Sequence, residues 1–248
     1  MPLFGADAAS PATAGQVSLA TRLLGAAPSF FGRYFSVPHS ASSIQYQSAQ
    51  ENPVLHRLGV RVLCIARQTN HVGGGEAEGA ADAANNMAAI VASFGANYLA
   101  GLGFDPIVFL DTELGGGQPS LNASYYAGWA GALQTQGPVV SGVRLRFTPA
   151  IYINGSDKVS WAALASAMAQ QNAACHGAWV ANYGKPTGAE GPPAWAGANI
   201  APSAPVPPPC PIVAWQYADY KEEIDLSLLP PGGSMDAVVK LMILPPAV

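Results

Sequence analysis

The run Pro106-Ile-Val-Phe-Leu-Asp-Thr-Glu-Leu114 ends an apolar segment in two carboxyls, Asp111 and Glu113. Ile107–Leu110 is a continuous apolar stretch of the kind that forms a parallel strand covered on both faces. Side chains at i and i+2 of a strand share a face, so Asp111 and Glu113 point one way and Thr112 the other. Ionised carboxylates buried without partners are costly, so the pair belongs at a solvated mouth, on a partner, or with one member protonated. Two carboxyls held close are what glycosidic bond cleavage needs, one protonated to feed the leaving oxygen and one ionised to stabilise positive charge or act on water. Asp111 would raise the pKa of Glu113 by like-charge repulsion, while Arg33 or Arg67 would hold Asp111 or Asp7 ionised. A plainer arrangement fits the same residues: a strand-end Asp that caps the next helix and a Glu paired with an Arg.

Strands must position these groups, and the chain alternates strand with helix. Strands are predicted at Leu3–Asp7, Phe30–Ser36, Val60–Ala66, Pro106–Leu110 and Phe147–Ile153. Helices are predicted at Thr13–Gly25, Ser43–Leu58, Glu76–Phe94, Leu121–Leu133 and Val159–Ala174. The pattern then changes. Gly177–Tyr183, Pro211–Tyr217 and Ala237–Ile243 read as strands, but the segments between them are too rich in Pro and Gly, or too broken, for crossover helices. The fold class predicted is α/β: an incomplete TIM-like (β/α) barrel of five β/α units followed by three strands lacking crossover helices. Residues 1–248 form one domain, with 184–210 a Pro/Gly-rich insertion loop. In such barrels the C-terminal strand ends carry the chemistry.

Composition narrows the function classes. Hydrophobic residues make up 50% and charged ones 10%, which describes a globular chain. A net charge of −4 without a Lys/Arg cluster excludes a nucleic-acid surface. No apolar stretch reaches the roughly 18 uncharged residues of a membrane span. The N-terminus lacks a basic region and an apolar core, so no signal peptide is visible; a cytoplasmic, a processed and an otherwise exported chain all remain open. His39, His56, His71 and His176 have no paired ligand spacing, so neither metal nor other cofactor is expected, although Asp111 and Glu113 leave a hard cation open. No G-x-S-x-G elbow is present. Cys64 reads as a small buried hydrophobe. Cys175 and Cys210 precede strands expected to be parallel neighbours, which places them within disulfide reach and leaves thiols or a bond open.

Aromatic side chains near strand C-terminal halves, Tyr34, Tyr152, Tyr183 and Tyr217, are candidates to stack on sugar rings, with Trp179 in the core and Trp215 undecided. Asn154, Asn182 and Gln216 are candidate partners for an N-acetyl group.

Several segments together resemble a known family. Gly5-Ala-Asp7, Phe31-Gly-Arg-Tyr34, Phe109-Leu-Asp-Thr-Glu113, Ile151-Tyr-Ile153, Trp179-Val-Ala-Asn-Tyr183, Trp215-Gln-Tyr217 and Ile224-Asp-Leu-Ser227 occur in the order seen in glycoside hydrolase family 25 muramidases. They are closer still to the related bacterial glycoside-hydrolase-like domain of unknown function. The resemblance implies that Glu113 is the catalytic acid and Asp111 the carboxylate beside it. Asp7 matches the acid ending the first strand, and Asp225 that of a closing D-x-N motif, here with Ser227 in place of Asn. It implies cleavage of a peptidoglycan-like polysaccharide; the chain is expected to be a monomer, and its compartment stays open, export or association with the cell envelope among the alternatives. The alternative is a non-catalytic glycan-binding or envelope module that keeps the cleft.

Overall fold

In the computed structural model, which describes residues 3–36, 44–68, 70–113, 117–183, 192–195, 200, 202, 206–207, 209–220 and 224–247, eight strands close into a barrel. The chain runs β1 (Phe4–Asp7), α1 (Ala14–Leu24), β2 (Phe30–Tyr34), α2 (Ser48–Leu58), β3 (Arg61–Arg67), α3 (Glu76–Phe94), α4 (Ala96–Ala100) and β4 (Ile107–Thr112). It continues through α5 (Ala123–Thr135), a two-stranded ribbon of β5 (Val139–Val140) and β6 (Val143–Arg144), β7 (Thr148–Asn154), α6 (Lys158–Gln170) and β8 (Ala178–Ala181). It ends with β9 (Ile212–Tyr220), β10 (Ile224–Leu228) and α7 (Gly233–Lys240). Around the barrel the order is β1-β10-β9-β8-β7-β4-β3-β2. All neighbours pair in parallel except β10, which is antiparallel to both β1 and β9.

Strand alternation divides the core in two. Phe30, Leu63, Ile65, Ile107, Phe109, Ala150 and Ala214 fill the barrel, while Phe31, Val62, Cys64, Val108, Leu110 and Ile151 face the helices. Continuous apolar runs such as Ile107–Leu110 arise because both faces of each parallel strand are covered. The longest helix, α3, lies against α5 through paired glycines. A Cβ at Gly79 would stand 2.1 Å from the Tyr125 carbonyl oxygen, and one at Gly128 2.0 Å from that of Glu76. Thr13, Asn122 and Asp157 cap α1, α5 and α6 by accepting backbone N–H bonds, which fixes where these helices leave the strand ends.

The closing third departs from the sequence-based expectation. The last strand is Ile224–Leu228, not Ala237–Ile243. Three residues link β9 to β10, and a connection that short joins antiparallel strands only. The apolar run expected as a strand instead lies largely in α7 and the turn after it, and stops the bottom of the barrel. Val238 and Met242 pack with the interior residues, and the Ile107 and Val62 N–H groups donate to Leu241 and Ile243 carbonyls. Most of the predicted 184–210 insertion lies outside the described residues.

Candidate active site at the barrel mouth

Inward-facing positions at one end of the barrel carry polar groups in register. Across the strands Asp7 pairs with Asp225, and Asp225 with Asp219. On the opposite wall Arg67 pairs with Asp111, and Asp111 with Tyr152. A cavity of about 180 Å³ opens between these walls, lined by Asp7, Asp111, Glu113, Asp219 and Asp225 together with Tyr34, Tyr152, Trp179, Tyr183 and Gln216. The four carboxyls singled out from sequence therefore converge from β1, β4 and β10. Gly32, beside Asp7 on β2, leaves the room this needs: a Cβ there would lie 2.6 Å from the Asp7 Cβ.

Gln216 organises the acidic wall. Tyr152 and Tyr183 hydroxyls both donate to its Oε1, at 2.7 and 2.5 Å, so the amide oxygen is turned away from the acids. Its Nε2 then donates to both oxygens of Asp7 and to Asp225 Oδ2, each at 3.1 Å. The two phenols thus determine which end of the amide the carboxyls see. Asp111 has no such partner. It is 2% exposed, and its Oδ2 is buried without a hydrogen bond. Glu113, one step beyond β4, is exposed at the rim.

Burial and like charge set the electrostatics. Asp7 is pushed up by burial first and then by Asp225, against the Gln216 bond that lowers it. Burial and Glu113 raise Asp111, with Arg67 opposing. Asp225 is raised to about 7 by burial, Asp219 and Glu113.

The remaining predicted residues divide. Arg67 stays near the mouth, its guanidinium 5.4 Å from the centre of the Tyr34 ring. Arg33 faces outward and is spent on a fully buried ion pair with Glu51, Nε to Oε2 at 2.7 Å, and on the Ala8 carbonyl, so it anchors the loop after Asp7 instead of touching a carboxyl of the mouth. Tyr217 is not in the cleft. With Gln216 turned inward its neighbour turns outward, where Tyr217 packs edge-on against a buried Trp215. Asn154 accepts from Ser156 N and Oγ, closing the turn after β7. Asn182 is half-buried and outside the cavity lining, its carbonyl accepting from Trp215 Nε1. Gln216 is in the cleft, but both ends of its amide are engaged by protein groups.

Three lining residues were not singled out for the site: Ile65, an apolar residue of the barrel interior, Trp179 and Asp219. Trp179, assigned to the core, is indeed buried, yet it sits inside the barrel against Tyr152 as the cavity floor, with Nε1 donating to Ser227 Oγ. Asp219 reaches the lining through a bulge: Ser227 pairs with Gln216 but Leu226 with Ala218, so β9 carries one extra residue and its alternation reverses. Among the described residues no group of three His, Cys, Asp or Glu is arranged to hold a metal. At the far end of the barrel the Cys175 and Cys210 sulfurs are 2.8 Å apart as thiols.

Comparison with known proteins places this geometry on a known fold. No family model and no curated protein matches the sequence. Two solved structures do match. An uncharacterized B. stearothermophilus protein, solved at 1.07 Å, superposes with a TM-score of 0.71 at 19% identity, covering 97% of this chain and all of that one. The Mycobacterium tuberculosis Tat-secreted protein Rv2525c, solved in complex with HEPES, gives a TM-score of 0.53 at 14% identity over 92% of this chain and 95% of that one. At these identities the likeness is one of fold.

Proposed function

We propose that this chain is a glycoside hydrolase acting on peptidoglycan or a related cell-wall polysaccharide, with Glu113 as the acid. The observation that carries the reading is the convergence of Asp7, Asp111, Glu113 and Asp225 on one solvent-open cavity. On this reading the barrel is a TIM-like (β/α) barrel whose final units have lost their crossover helices, and the carboxyls occupy the strand ends where such barrels do chemistry.

Roles follow from position. Glu113 stands at the exposed rim, where it can reach the oxygen of a bond lying across the mouth. Asp111, below it and enclosed, faces the positive charge that develops on the sugar. Asp7 and Asp225, fixed by Gln216, complete a negative surround for that charge. The Tat-secreted M. tuberculosis protein of the same fold supports a site of action outside the cytoplasm.

Incubation with purified cell walls should release new reducing sugar ends. Glu113→Gln should lower that release by roughly 10²–10⁴-fold, the usual contribution of a general acid, without changing the unfolding midpoint. Equal release by wild type and Glu113→Gln would remove Glu113 from the role.

A further inference from the structure

The cavity has an excess of hydrogen-bond acceptors over free donors. Five of its lining residues are carboxylic acids and none is Lys, Arg or His. The donors that could serve a ligand are largely consumed: the Tyr152 and Tyr183 hydroxyls by the Gln216 oxygen, the Gln216 amide nitrogen by Asp7 and Asp225, and the Trp179 indole N–H by Ser227, which leaves the Tyr34 hydroxyl against five carboxyls. The acceptor side has one unmet group, since Asp111 lines the cavity, is 2% exposed and has its Oδ2 buried without a hydrogen-bond partner. A buried carboxyl oxygen without a donor is costly and calls for one from the ligand, and a cation brought against Asp111 favours the ionised form that burial disfavours in its absence.

An acetamido group would offer one N–H but bring a carbonyl that needs a donor, and an ammonium brings three donors and no acceptor. Aromatic residues belong to the same arrangement, since Tyr152 and Trp179 line the cavity beside the carboxyls, and aromatic rings favour a nearby cation. At about 180 Å³ the cavity is smaller than a site for a whole oligosaccharide and suits a single substituent or ring, with the rest of the chain crossing the rim at Glu113 and Tyr183. No set of three ligands among the described residues is arranged for a metal ion instead.

We infer that the mouth selects glycans carrying a free, protonated amino group, an unacetylated hexosamine whose ammonium donates to Asp111. This rests on the glycan reading of the cleft and specifies which glycans it takes. Calorimetric titration with a tetramer of glucosamine, a tetramer of N-acetylglucosamine and a simple aliphatic diamine tests both, at a pH where the amines are protonated. The unacetylated tetramer should bind roughly ten- to a hundredfold tighter than the acetylated one, the range of a hydrogen bond to a charged group, and tighter than the diamine. Asp111→Asn should erase most of that preference, and Glu113→Gln, at an exposed position, should reduce it less. Equal or tighter binding of the acetylated tetramer overturns the amine preference while leaving the glycan reading in place. Binding of neither tetramer overturns both, and so does a diamine that binds as tightly as the sugar.

Discussion

Raising the pH should destabilise this barrel from its mouth, because Asp7, Asp111 and Asp225 hold protons more tightly in the folded state than in the unfolded one. A carboxyl whose folded pKa lies above its unfolded value stabilises the fold fully below the unfolded value. That stabilisation is lost as pH rises through the folded value. For Asp225 the shift from 3.8 to about 7 is about three units. At 1.36 kcal/mol per unit this amounts to about 4 kcal/mol as an upper limit. Asp225 is partly exposed, and solvent screening lowers the expected figure to roughly 2 kcal/mol. Asp225→Asn remains neutral at every pH and still accepts from Gln216 through its amide oxygen. Urea unfolding of both proteins at about pH 3, below the unfolded value, and at about pH 9 isolates the effect, since other titrating groups contribute to both curves. The wild type should lose roughly 2 kcal/mol more than Asp225→Asn between the two conditions. Parallel losses, or a wild type whose stability is flat across the range, would refute the assignment of a raised carboxyl.

Gly32→Ala should destabilise by about 1–3 kcal/mol and displace Asp7 from Gln216, because the new methyl meets the Asp7 Cβ at 2.6 Å and Ile65 Cδ1 at 3.0 Å; thermal unfolding and wall hydrolysis should both fall. Glu51→Gln should cost about 3–5 kcal/mol in urea unfolding, since it leaves the Arg33 guanidinium fully buried without its counter-charge, and a loss under about 1 kcal/mol would mean that the pair is solvated. Treatment with a small-molecule disulfide should join Cys175 to Cys210 and leave one titratable thiol, Cys64, in the denatured protein. By loop entropy, closing the 35-residue span should add roughly 4 kcal/mol of stability. Three thiols after oxidation would show that the pair does not close.

Local pattern was sufficient where one rule decided the outcome. Ile107–Leu110 and the Ala-rich Glu76–Phe94 segment read directly as a doubly covered strand and a helix, and the period of two assigned Asp111 and Glu113 to one side before any partner strand was known. The closing third was less legible because its direction depends on a connection, not a composition. Ile224–Leu228 is short and interrupted by Asp225 and Ser227, whereas Ala237–Ile243 is apolar but for Lys240, yet the three-residue link after β9 makes the first a strand and leaves the second to plug the barrel. The site followed the same division. The acids could be read individually, but Arg33 and Tyr217 were misplaced because reading a strand's C-terminal end does not by itself say which face a residue occupies. Asp219 was hidden by a bulge that appears only when β9 is laid against β10. The tyrosine-oriented amide of Gln216 needs three strands in register, and no linear motif announces it.

The proposal that this mouth cleaves a wall glycan is tested most directly by mass spectrometry of the soluble products from purified peptidoglycan incubated with wild type and with Glu113→Gln. The account predicts disaccharide-containing muropeptides with new reducing ends from the wild type, and these products absent or reduced by at least about 10²-fold with the variant. Walls that bind the wild-type protein yet yield no soluble fragments would contradict it and leave a glycan-binding module in its place.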